Sequence, residues 1–102
     1  MTAAVRVKGG SLYLGRDVCE RYFAGLEAVI LLQRDGDLLI LPVRNAAAGG
    51  YLLKVRNAAG DRVVQAADFF RAQGVADDRE LRLEAVWSSD QGGLVAASAL
   101  VM

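Results

Sequence analysis

The chain has no histidine, one cysteine and one proline among its 102 residues, and Lys8 and Lys54 are its only lysines. Without histidine it lacks the commonest general base and the commonest metal ligand at neutral pH. A lone Cys19 cannot close an internal disulfide, so nothing marks the protein as secreted, and a reducing cytoplasm is expected. No stretch approaches the ~18–20 uninterrupted apolar residues of a membrane-spanning helix, and Met1–Arg6 carries no basic segment leading into an apolar run. The expectation is a soluble protein that is not exported. Net charge is missing too: twelve basic residues balance twelve acidic ones. That balance excludes a polybasic tail but leaves room for local patches.

What the chain does have is hydrophobicity. Hydrophobic residues make up 54% of it, above the ~45–50% usual in globular domains. Either the core is generous or part of the surface meets a partner, and an oligomer, a homodimer or larger, is expected. The charge is unevenly spread. Residues 1–62 carry nine Lys/Arg against six Asp/Glu, and residues 63–102 carry three against six, so an anionic partner would meet the first half.

One plan is written twice, over residues 4–43 and 51–101, joined by a Gly/Ala-rich connector at 44–50. Val5–Lys8 and Ser11–Leu14 read as strands around Gly9-Gly10, Arg16–Ala24 as a short helix ended near Gly25, and Ala28–Leu32 and Leu38–Leu41 as a hairpin around Asp35-Gly36. The second copy repeats this with Tyr51–Arg56, Arg62–Gln65, a helix at Ala67–Gln73, a cleanly alternating strand Glu80–Trp87 and a final strand Leu94–Val101. In that alternation Leu81, Leu83 and Ala85 oppose Arg82, Glu84 and Val86. One copy is too small to bury its own apolar faces, so both are expected to close one core. The fold expected is mainly β (α+β), a small barrel of about eight strands from two ββαββ repeats in a single domain.

The segments Val5-Arg6-Val7-Lys8-Gly9-Gly10-Ser11-Leu12-Tyr13-Leu14 and Arg16–Leu26 resemble the unit of the AbrB/MazE/MraZ group of swapped-hairpin barrels. The Asp17…Arg21 spacing is similar to the Asp-x-x-x-Arg signature of the MraZ branch, which carries two units in one chain. Two positions depart from the family pattern: Ser11 follows Gly10 where the family has arginine, and Gly15 replaces a proline before the helix. The resemblance implies a DNA-binding transcriptional regulator acting as an oligomer. It implies duplex DNA as partner and places the contacts on Arg6, Lys8, Arg16 and Arg21. Cations in such a cluster neutralise phosphates, and arginine also reads guanine edges. The same residues have a local account, in which Arg16 and Arg21 pair with Glu20 and Asp17 on a solvated helix face for about a few tenths of a kcal/mol each.

Other candidates carry less chemistry. Cys19 lies among Val18, Tyr22 and Phe23, which fits a buried thiol better than a nucleophile lacking a base. Asp77, Asp78 and Glu80 fit a solvated loop better than a calcium site. Phe69 and Phe70 cannot both face inward on so short a helix, which makes one of them a candidate interface residue toward another protein. Val43-Arg44-Asn45-Ala46-Ala47 recurs as Val55-Arg56-Asn57-Ala58-Ala59. This repeat is explained either by the turn preference of asparagine or by a basic rim formed from Arg44 and Arg56. No acid and base groups can be placed together, so no catalysis, no metal and no cofactor are expected. The alternative to a DNA-binding regulator is a non-catalytic assembly module that docks on a larger protein complex through apolar strands.

Overall fold

Gly9 and Gly10 both take positive φ, 60° and 78°. They turn β1 (Thr2–Lys8) back on β2 (Ser11–Leu14), with Val7 opposite Leu12 and Val5 opposite Leu14. The two-residue period puts those four side chains on one buried face and Arg6, Lys8 and Tyr13 on the other. This hairpin opens a computed structural model that describes residues 2–44 and 49–100. Asp35 and Gly36, with φ of 53° and 84°, make the same kind of tight turn between β3 (Ala28–Arg34) and β4 (Asp37–Val43). Between the hairpins lies α1 (Arg16–Tyr22).

The second half continues with β5 (Tyr51–Leu52), β6 (Lys54–Val55), β7 (Arg62–Gln65), α2 (Ala67–Ala72), β8 (Glu80–Ser88) and β9 (Gly93–Ala96). All strands pair antiparallel in one nine-stranded sheet ordered β5-β3-β4-β9-β8-β1-β2-β7-β6. Its two edge strands, β5 and β6, are separated in sequence by Leu53 alone. The extended run Tyr51–Val55 therefore pairs first with β3 and then with β7, and the sheet comes round nearly onto itself. At the changeover the Leu53 N–H donates to the Glu27 carbonyl at 2.7 Å, and its side chain is buried. The result is a mainly β, nearly closed barrel with two short helices. Pairing is reciprocal between the halves: β2 with β7, β4 with β9, β1 with β8 and β5 with β3.

The expected strand over Tyr51–Arg56 is thus two pieces, which raises the count from about eight to nine. The expected final strand stops at Ala96. Beyond it the Ser98 and Leu100 N–H groups fasten to Asp37 Oδ1 and the Gly36 carbonyl, both at 2.8 Å. Within the expected connector, residues 45–48 lie outside the described residues.

The barrel is filled by Val5, Val7, Leu12, Leu14, Val29, Leu31, Leu38, Ile40, Val64 and Leu94, and β8 adds Leu81, Leu83, Ala85 and Trp87 from its inward face. The helices serve opposite ends. α1 sends Cys19 inward, and its last residue Tyr22 stacks on Trp87 with ring centroids 5.5 Å apart. α2 starts against the β1–β2 turn, where a Cβ on Gly10 would meet Ala67 Cβ at 2.7 Å; the Gly10 carbonyl accepts the Ala66 N–H. Only glycine fits there, for its φ and for this approach.

Phe70 is 1% exposed and belongs to the core. Of the two candidate interface residues, Phe70 is thus the inward one: α2 turns it into the barrel end. Phe69 is half-buried and meets Phe70 edge-on at 5.2 Å. Phe70→Ala is expected to lower stability in urea unfolding by about 3–5 kcal/mol, and Phe69→Ala by clearly less. Equal losses would contradict this placement.

Candidate anion-binding site

Arg6 projects from the outer face of β1, directly opposite Tyr13 on β2 and Arg82 on β8. Two like charges facing each other across strands repel, and Glu80 relieves this pair. It stands on β8 opposite Lys8, two residues along from Arg82, with Oε2 3.1 Å from Arg82 Nε and 3.9 Å from Arg6 Nε. The hydrogen bond from Arg82, and then the charges of Arg82, Arg6 and Lys8, hold the Glu80 carboxyl below its ordinary pKa. Arg6 Nε itself is buried without a hydrogen-bond partner. Its guanidinium is held by charge and by the Tyr13 ring, 4.9 Å from the ring centroid, and not by a directional bond.

A third guanidinium reaches the same ring from the loop after β6. Arg56 lies 5.0 Å from the Tyr13 centroid and makes no ion pair among the described residues. Asn57 sets that loop. Its Oδ1 accepts the Ala59 and Asp61 N–H groups at 3.1 and 3.3 Å, its Nδ2 donates to Asp61 Oδ2 at 2.9 Å, and the Arg56 N–H donates to the Asp61 carbonyl. Asparagine folding its own loop in this way is the turn chemistry expected of it. Asp61 also caps α1 from 45 residues away: its Oδ1 accepts the Arg16 N–H at 2.9 Å, where Gly15 has no side chain to do so. The Asn57 bond first, and the Arg16 N–H second, lower the Asp61 pKa.

These side chains border a concavity of about 520 Å³ on the outside of the barrel. Ala4 and Gly15, with almost no side chain, leave the depression; Arg6, Tyr13, Arg56 and Arg82 line it, together with Asp61 and Glu84. A guanidinium group offers several N–H donors in a fixed fork suited to carboxylate or phosphate oxygens. Three of them border one hollow, which makes it the candidate site for an oxyanion.

Of the residues expected to meet DNA, Arg6 is at the site and Lys8 is exposed on the same side of β1, beyond Glu80. Arg16 lies in an adjoining depression, past Asp61, with its Nε 3.0 Å from Glu20 Oε1. Arg21 is exposed beside Tyr22 of its own helix, 5.9 Å from that ring's centroid. Of the four, Arg6 lines the hollow, and Arg16 lines the adjoining depression, which shares Ala4, Gly15 and Asp61 with it. Arg56 and Arg82 replace the helix arginines; the recurring Val-Arg-Asn-Ala-Ala segment and the wet face of β8 were their signals in the sequence. Arg44 does not line the hollow.

No protein-family model, curated protein or solved structure matches the chain. Function is therefore argued from this site's own chemistry. Among the described residues no three His, Cys, Asp or Glu side chains gather closely enough to hold a metal ion, and no helix is long and apolar enough to cross a membrane. Cys19 is buried, its Sγ 3.7 Å from the Leu14 carbonyl, and burial pushes its thiol pKa up, away from nucleophilic use.

Asp61 and Glu80 titrate lower in the folded chain than in the unfolded one. Their stabilisation is complete above the ordinary carboxylate range of about 4 and is lost as pH falls through the lowered values. The urea midpoint is expected to fall below about pH 4, and to fall less steeply in Asp61→Asn. An unchanged pH profile in that variant would contradict the capping role.

Proposed function

We propose that the protein is a non-catalytic, cytoplasmic DNA-binding regulator that meets duplex DNA through the outer face of its first hairpin and acts as an oligomer. The observation that carries this reading is the convergence of Arg6, Arg56 and Arg82 in one concavity, the first two on the Tyr13 ring, with Lys8 exposed on the same strand face. The likeness of the first hairpin to the AbrB/MazE/MraZ unit points the same way. Because the chain as a whole is neutral, attraction to a polyanion must come from this local cluster and not from the net charge.

Four cations give a modest electrostatic footprint. The affinity for mixed duplex DNA is expected to fall with salt along a log–log slope of about −3 to −4. Arg56→Ala or Arg82→Ala is expected to reduce that slope by about 1, and Arg21→Ala to leave it unchanged. No binding at low salt by a folded sample overturns the reading, and so does loss of binding in Arg21→Ala alone.

One observation favours the assembly-module alternative. Leu32, Leu39, Val95 and Val86 stand opposite one another across β3, β4, β9 and β8, and the two ends of this apolar row, Leu32 and Val86, are 40% and 50% exposed. Paired residues share a sheet face, so the row is apolar throughout, with Leu39 buried and exposure confined to its two ends. Leu32→Glu and Val86→Glu would abolish association with a protein partner under that alternative, and leave DNA binding intact under the first.

A further inference from the structure

The register of β1 against β8 lays three rows of side chains on the outer face: Lys8 with Glu80, Arg6 with Arg82, and Ala4 with Glu84. Successive rows are about 7 Å apart. The concavity lies over the Ala4 row, and Glu80 is not part of its lining. Glu80 therefore draws the Arg6 and Arg82 guanidiniums from the side facing away from the hollow. One carboxylate neutralises at most one of the two cations it touches. Arg6 Nε is left without a directional bond, and Arg56 has no ion-pair partner among the described residues.

We infer that the hollow over Ala4 and Gly15 is a discrete seat for one phosphoryl group, held by Arg6, Arg82 and Arg56, and that Glu80 is an internal rival anion that sets its affinity. Glu80 touches both strand arginines, which also line the hollow. A phosphoryl oxygen over Ala4 competes for the same guanidiniums, which turn toward it as the Glu80 contact loosens. Tyr13 keeps Arg6 and Arg56 from splaying out into solvent. Glu84 and Asp61, also in the lining, repel anions, so the three guanidiniums hold a phosphoryl group against them and an extended polyanionic small molecule is disfavoured. The group has two sources, a phosphate of a nucleic-acid backbone or a small phosphorylated molecule. The inference rests on reading this concavity as the anion site, not on the partner being DNA.

The test is titration of the wild-type protein, Glu80→Gln and Ala4→Leu with inorganic phosphate and separately with a short DNA duplex, with heteronuclear NMR reporting the Arg6, Arg56 and Arg82 side chains. Ala4 is exposed on β1, so a leucine there fills the hollow without entering the core. Glu80→Gln removes the rival charge and is expected to tighten phosphate binding by about threefold to fivefold, the range of an exposed ion pair. Ala4→Leu is expected to weaken it by at least about tenfold, as steric exclusion from a small seat requires. Phosphate binding that responds in this way, with no duplex binding, supports the seat and discards the regulator. Duplex binding indifferent to both substitutions keeps the regulator and overturns the seat. Phosphate binding unchanged or weakened in Glu80→Gln also overturns it, provided that thermal unfolding shows the variant folded.

Discussion

The arrangement depends on what Leu53 does. A sheet of nine antiparallel strands has two edges, and each exposes unpaired backbone groups. Here both edges belong to one extended run, Tyr51–Val55, whose first part bonds to β3 and whose second part bonds to β7. The change of partner falls on Leu53, whose N–H is satisfied by Glu27 and whose side chain anchors in the core. Closure by a two-residue piece on each side uses little chain and covers only the start of β3, at Ala28 and Val29. The exposure of Leu52 and Val55, 48% and 68%, shows how shallow the join is. An anchored leucine between two exposed neighbours holds it.

The site follows from that closure. Val55 pairs with Arg62, so the loop from Arg56 to Asp61 is delivered to the start of α1 and beside Tyr13. Arg82 comes from the far end of the chain, through the register of β8 on β1. Three arginines from three distant segments thus share one hollow, which is open because Ala4 and Gly15 are small. The acidic residues nearby are placed with as much effect as the basic ones. Asp61 is spent on a helix cap and Glu80 on two arginines, so the local excess of positive charge is small and positional.

Much of the architecture was legible in the sequence because it obeys local rules. The Asp35-Gly36 turn, the alternation of β8 and the start of both helices lie where turn chemistry and periodicity put them. The split of Tyr51–Arg56 was not legible, since two-residue strands carry no period and the partner change is decided by Glu27. The shortened β9 was not legible either: Ala97–Leu100 are as apolar as the strand before them, and backbone bonds to Gly36 and Asp37 turn them aside. For the site, Arg6 and Lys8 followed from the first hairpin. Arg16 and Arg21 were grouped with them by the family resemblance; in the fold Arg16 lies past Asp61, in the adjoining depression. Arg56 and Arg82 join through contacts that span 43 residues, Tyr13 to Arg56, and 76 residues, Arg6 to Arg82, which no local pattern encodes. Which of Phe69 and Phe70 turns inward was not legible either, since neighbouring helix residues point about 100° apart and the packing of α2 on the barrel end decides it.

The most direct test of this account is native-state hydrogen exchange at the Leu53 amide, compared with amides of β4 and β9 such as those of Ile40 and Leu94. If Leu53 closes the barrel, its amide exchanges only through global unfolding, as slowly as theirs. Exchange at a loop-like rate, while β4 and β9 stay protected, would mean that the sheet is open between β5 and β6 and that Arg56 is not held at the site.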